Sequence, residues 1–284
     1  MTTTTAKRSL ASRAKDLNPL TAVGLALFGV ILIVSFAAAL VAPYDPLEQD
    51  IINRLQGASS EHWLGTDVFG RDTLSRILHG AQISLIIGLT STGIALVAGT
   101  TLGIIAGYYG GWTDIVVMRF MDILLAFPTL ITGLLIVAVL GTNPINIVVA
   151  IAVTLLPNFA RVARAPTITL KEREFIESCR ALGYSDLRIM GVHILPNVIG
   201  EVVVLASLWT ASAIMIEAYL SFIGLGVAPP TPTLGGMIRQ GLESILETPW
   251  VTIYPGLAVM LIVLALNLIG DGVRDAIDPK SGGR

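Results

Sequence analysis

Charge is what this sequence has least of. Asp, Glu, Lys and Arg make up 13% of its 284 residues, roughly half the share usual in a soluble domain. With 54% hydrophobic residues and a mean hydropathy of +0.77, much of its surface must face something other than water. Cysteine is almost absent. The lone Cys179 excludes an internal disulfide and leaves the redox compartment unread. The net charge of −2 gives no basic bias toward nucleic acid.

The usual marks of catalysis are missing too. None of Lys7, Lys15, Lys171 and Lys280 closes a glycine-rich phosphate loop, so the chain has no visible means of binding ATP. His62, His79 and His193 are scattered, and no Cys/His/carboxylate cluster has metal-ligand spacing. There is no G-x-S-x-G elbow. No catalytic residue, metal site or cofactor is expected on this chain.

What the sequence does have is long apolar runs. The first, Leu20–Ala42, carries no charge and as a helix reaches roughly 35 Å, enough to cross a bilayer core. Lys7, Arg8, Arg13 and Lys15 precede it as they would a signal peptide. It is too long for an h-region of about 7–15 residues, however, and further spans follow. It reads as a retained span. Ala81–Gly107, Ile123–Gly141, Ile145–Ala160 and Val251–Gly270 are also charge-free, and Val198–Gly226 carries only Glu201 and Glu217. Runs this continuous are helices, because backbone groups in lipid must be satisfied internally. The expected fold is all-α: a polytopic membrane protein with six transmembrane helices.

Orientation follows from Lys and Arg. With the N-terminus inside, fourteen basic residues fall on the cytoplasmic side and four outside: Arg54, Arg71, Arg76 and Arg239. Both termini are therefore expected in the cytoplasm. The chain divides into a cytoplasmic tail 1–19, a first span 20–42, an external segment 43–80 and a core 81–279 with five further spans. A cytoplasmic loop 161–197 lies within that core, and a C-terminal tail 280–284 follows.

Local patterns add detail. Gly99, Gly103 and Gly107 repeat every four residues and form a ridge that lets another helix approach closely. Pro128 and Pro157 interrupt helix hydrogen bonding near or within spans. Asp72 has the position of a cap on a short helix whose apolar residues are Leu74, Ile77, Leu78 and Ala81. That helix is expected along the outer surface or against the spans, either as a plain connector or as a docking surface. Pro229, Pro230, Pro232 and Pro249 stiffen the second outer segment, Val227–Trp250, into an ordered cap.

The loop 161–197 is far longer than a connection needs. It reads as two helices, Thr167–Leu182 and Ser185–Ile194, parted by Gly183, with Ser185 as a cap and Pro196 marking re-entry. The first shows Phe175, Cys179 and Leu182 on one face with Ile176 beside them. Such a hairpin either folds back on its own spans or is covered by a protein partner. Glu217 lies at membrane depth, where a charged acid costs about 2–3 kcal/mol or more and needs a partner or a wet cavity. It either lines a pathway or is a structural acid near the outer helix end, bonded to backbone or an Arg. Glu201, near the interface, can stay solvated.

These residues carry a resemblance. Glu177-Ser178-Cys179, then Gly183, then Leu195-Pro196 resembles the E-A-A-x-x-x-G…L-P loop of ABC importer permeases. Ser178 and Cys179 replace two alanines but stay small, and His193 stands where isoleucine is usual. Leu64, Gly65, Thr66, Asp67, Gly70, Arg71 and Asp72 sit in a stretch, His62–Asp72, that is similar to the outer signature of the second permease subunit of dipeptide, oligopeptide and nickel importers. Ser221–Val227 with Pro229–Pro232, and Asn267–Asp275, fit the same group. The resemblance spans nearly the whole chain from the first span onward.

It implies a bacterial inner-membrane permease subunit, working beside a second homologous permease subunit. Two ATPase subunits, separate or fused, would carry ATP and Mg, and an external binding protein would deliver substrate. It implies that Glu177, Ser178, Cys179, Ala181, Leu182, Gly183, Ser185, Asp186, Leu187 and Arg188 form the coupling element gripped by the ATPases. Dipeptides, longer peptides, glutathione-like peptides and nickel chelates all fit as cargo. An ion-coupled secondary transporter and a membrane scaffold are the rival classes. The first lacks a visible internal repeat, and the second does not account for the outer signature.

Overall fold

In the computed structural model, which describes residues 18–277, the apolar runs become helices and no strand forms among the described residues. The expected basic residues Lys7, Arg8, Arg13, Lys15, Lys280 and Arg284, and nearly all of the two tails, lie outside the described residues. The main helices are α1 (Pro19–Phe36), α2 (Thr73–Tyr109), α3 (Gly111–Leu125), α4 (Thr129–Leu140), α5 (Pro144–Lys171), α6 (Glu174–Ala181), α7 (Leu195–Ile223), α8 (Leu234–Leu242) and α9 (Trp250–Ile277). Five of them, α1, α2, α5, α7 and α9, are long and apolar enough to cross a membrane unbroken.

The expected span Ile123–Gly141 is not one helix. The pair α3 and α4 bends by 92° at Ala126–Pro128. Pro128 has no N–H to continue the ladder and starts α4 as its N-cap. Six spans are counted only if this bent pair is taken as one.

Other boundaries differ from expectation as well, and the expected first span Leu20–Ala42 breaks at Ala37 into Pro19–Phe36 and Ala38–Val41. The short helix after Asp72 is not separate. Asp72 does cap it, accepting from the Ser75 N–H at 2.8 Å, but the helix runs on without a break for 37 residues as α2. Its apolar residues Ile77 and Ala81 are buried against α7 and α8, so packing removes any reason to turn. Likewise α5 continues past Ala160, through Pro157 and Pro166, to Lys171. The helix expected at Thr167–Leu182 therefore breaks at Glu172–Arg173 and resumes as α6.

The centre of the molecule is the packing of α2 on α5. A Cβ on Gly99 would lie 2.6 Å from the Leu156 carbonyl oxygen, and one on Gly103 would lie 2.2 Å from that of Ala160. A Cβ on Gly107 would meet the Thr167 side chain and the Arg164 carbonyl less tightly, at 2.9 and 3.0 Å. The glycine ridge is therefore a seam of backbone against backbone, as its spacing requires. Ile104, Ile151, Leu155 and Phe159 fill the core around it. Beyond the seam, Arg164 makes a bidentate contact with Asp114 that ties α5 to α3.

Candidate functional site

The two ends of α2 carry the two polar constellations. At its C-terminal end, α6 is followed by a turn and then by Asp186–Arg188, a π-helical segment Ile189–Ile194, and α7. Gly183 adopts φ +78°. Its N–H donates to the Arg180 carbonyl at 2.9 Å, and that of Tyr184 donates to the Cys179 carbonyl at 3.1 Å. These two bonds make a Schellman stop, in which a left-handed residue closes a helix and reverses the chain. The expected glycine stop is present. Ser185 does precede the second helix, but its side chain makes no capping bond.

The hairpin's faces are also sorted differently. Ile176 and Cys179 point inward and pack with Ile189, Met190 and Ile194. Phe175 and Leu182, expected on the same face, are exposed. Apolar spacing of three and four residues did not distinguish the side facing the spans from the side facing away. Glu177, Ser178, Ala181, Ser185, Asp186 and Arg188 are exposed as well, and Leu187 at 79% and Leu182 at 73% are the most exposed large apolar residues of the hairpin.

What fixes the hairpin was not read from the sequence. The Tyr108 hydroxyl, in the last turn of α2, donates to Asp186 Oδ1 at 2.7 Å. The Arg180 guanidinium lies 5.2 Å from the same ring, and its place beside Tyr108 holds it further into its charged form. His193 stands between two rings, 6.5 Å from Phe175 and stacked at 6.1 Å on Tyr184, whose other contact is the Arg188 guanidinium at 4.2 Å. The histidine that departs from the family pattern thus has an aromatic role. The one available signal was the pair Tyr108-Tyr109 closing a helix that holds no other Phe, Tyr or Trp.

At the other end of α2, the outer signature folds into a polar knot. The Asp67 carboxylate accepts from the N–H of Phe69 at 2.8 Å and of Arg71 at 3.0 Å, and from Arg71 Nε at 2.7 Å. Arg76 adds a second cation at 3.3 Å. Asp72 accepts from both the N–H and the hydroxyl of Ser75, and pairs with His62 Nδ1 at 2.9 Å. Gly65 and Gly70, at φ +72° and +73°, press against the carbonyls of Gln56 and Asp50. Gly65, Thr66, Asp67, Gly70, Arg71 and Asp72 are all buried and Leu64 is partly so, while Trp63 and Phe69 remain exposed. The signature's polar side chains are turned inward, and Arg71 reaches Gln240 of α8 at 3.0 Å.

Glu217 is fully buried between α7 and α2. Its carboxylate oxygens accept from Ser84 at 2.6 Å and from Ser221 at 2.7 Å, so its partners are two hydroxyls and not backbone or an arginine. In this conformation it faces those serines and is 0% exposed. Glu201 is exposed.

Residues 99–282 match the family model described as binding-protein-dependent transport system inner membrane component. Residues 17–58 match that of the N-terminal transmembrane domain of oligopeptide transport permease C. The chain is 46% identical over 263 residues to the dipeptide transport system permease protein DppC of Alkalihalophilus pseudofirmus, covering 90% of this chain and 86% of the relative. It is 45% identical over 261 residues to the glutathione transport system permease protein GsiD of Pectobacterium atrosepticum, with 91% and 87% covered. Among solved structures, inward-facing forms of the MetNI methionine ABC transporter share the fold. Two such forms give TM-scores of 0.55 and 0.56 at 19% identity, covering 70% and 71% of this chain and 95% and 96% of theirs.

Proposed function

The chain belongs to the family of binding-protein-dependent transport inner membrane components, and from that premise we propose that it is one of two permease subunits of an ATP-driven importer of dipeptides or short oligopeptides. A second, homologous permease subunit completes the pathway. Two ATPase subunits carry ATP and Mg, and an external binding protein delivers the cargo. The chain lies in the inner membrane with the 161–197 loop and both termini in the cytoplasm, as its distribution of Lys and Arg favours.

The observation that carries this reading is the hairpin. Leu182 and Leu187 stand exposed at the tip of an element that is otherwise anchored by buried isoleucines and by the Tyr108–Asp186 bond. An apolar tip on a rigid mount suits a partner's cleft and transmits displacement to α2 and α7. Glu177, Ser178, Cys179, Ala181, Leu182, Gly183, Ser185, Asp186, Leu187 and Arg188 form this coupling element. Closure of the ATPases drives it only through different affinities for the inward-open and outward-open states.

Glutathione is the second reading of cargo, favoured by the nearly equal identity to a glutathione permease. Uptake of labelled dipeptide and labelled glutathione should be compared in cells with and without this chain, before and after ATP depletion. Loss of dipeptide uptake on both deletion and depletion supports the peptide reading. Loss of glutathione uptake alone moves the cargo. Uptake that survives ATP depletion but collapses with the ion gradient removes the ATP-driven reading.

A further inference from the structure

Beside the proline-rich cap, at the end of the protein that bears the knot, lies a cavity of about 420 Å³. Its walls include Thr142, Ser221, Gly224, Val227 and Gln240, and its only charged lining residue is Arg239 of α8. Arg239 is exposed, and its side chain makes no ion pair or hydrogen bond among the described residues. Glu243, four residues on, would ordinarily be its partner. It lines a separate cavity of about 330 Å³ instead, with Gln49, Phe69 and Pro230. Pro229 and Gln240 border both cavities, and Gln240 is held in place by Arg71.

The guanidinium is seated on purpose-made space. Gly224 ends α7 at φ +94°, and a Cβ there would lie 1.6 Å from Arg239 Nη1. The carbonyl-rich end of α7 favours a cation at this point without supplying a formal counter-charge. The following turn adds donors. The backbone N–H groups of Gly226, Val227 and Ala228, all cavity residues, find no acceptor among the described residues. A guanidinium in a concave wall with no acid present, beside a turn whose backbone N–H groups lack acceptors, is the chemistry that receives a carboxylate.

We propose that this cavity seats the terminal carboxylate of the transported ligand, with Arg239 as a specificity-determining residue on the external face. The inference rests on the importer reading above, in which this face meets substrate first and short peptides end in a carboxylate. Gly224 is the positioning residue that leaves room for the guanidinium.

The test uses the complete importer in proteoliposomes with its binding protein, supplied with a dipeptide as the free acid or as the C-terminal amide. The binding protein has its own preference, but it is the same in every sample. The change in the acid-to-amide uptake ratio between the native and variant permease therefore reports the permease alone. Arg239→Ala is expected to lower that ratio by about tenfold or more, Arg239→Lys by less, with amide uptake unchanged in both. A role confined to stabilising α7 would depress acid and amide together and leave the ratio alone, which would overturn the proposal. So would an equal fall for both peptides accompanied by weaker binding-protein affinity, since Arg239 would then meet an acidic protein surface. If the native complex moves neither peptide, the peptide reading falls and this inference with it. If it moves both and Arg239→Ala keeps the native ratio, only the carboxylate seat is lost.

Discussion

The Tyr108 hydroxyl and the Asp186 carboxylate, 78 residues apart in sequence, meet at 2.7 Å. The bond joins the end of the longest helix to the start of the element proposed to receive the ATPase stroke. Tyr108→Phe keeps the buried ring and removes only the hydroxyl, worth about 1 kcal/mol. Membrane abundance should be unchanged, while peptide imported per ATP hydrolysed should fall several-fold in proteoliposomes. Asp186→Asn keeps an acceptor oxygen and should lose less. Equal coupling in Tyr108→Phe and the native protein would show that the bond transmits nothing.

Gly183 offers a graded test of the hairpin. No atom lies within 4 Å of a Cβ added there, so the cost of substitution is set by its φ of +78° alone. Asn tolerates that region best, Ala costs about 1 kcal/mol and Pro cannot adopt it. Transport should fall in the order Asn, Ala, Pro, with Gly183→Pro inactive yet inserted normally. Quantitative blotting of membranes alongside uptake separates the two effects, and normal uptake by the proline variant would remove the coupling role.

The glycine seam should be intolerant where the structure is closest. Gly103→Ala puts a methyl 2.2 Å from a backbone oxygen on α5, which cannot give way as a side chain can. Overpacking of this kind costs about 1–3 kcal/mol or more. Gly93, on the same helix with nothing within 4 Å, should accept alanine freely. Thermal melting of the two purified variants should show a lowered midpoint for Gly103→Ala only.

The polar knot stands on Asp67. Asp67→Asn leaves Arg71 and Arg76 buried without their counter-charge, a change that typically costs about 3–5 kcal/mol. The segment 43–72 should become sensitive to protease added from outside, and steady-state abundance should drop. Native resistance to protease in this variant would mean that the glycine turns alone hold the segment.

Much of this protein is legible along the chain because lipid imposes a one-dimensional rule. Each span must satisfy its own backbone, so length and apolarity mark α1, α2, α5, α7 and α9 directly. Gly183 and Asp72 were readable for a similar reason, since a left-handed stop and a helix cap are decided within a few residues. The glycine ridge announced a close partner through its spacing, although not which helix that partner would be.

Everything that depends on partners distant in sequence was decided by tertiary structure. Asp72 caps a helix either way, but only packing against α7 and α8 lets that helix run on for 37 residues. Periodicity grouped Phe175 with Cys179, and the body of the spans then turned one outward and the other in. Glu217 had to find a partner at membrane depth, and Ser84, 133 residues away, supplied it. Arg71 and Arg239 both read as external cations. The fold paired the first with Asp67 and left the second facing a cavity, because a charge's partner is chosen by distance in space, which hydropathy and spacing do not encode.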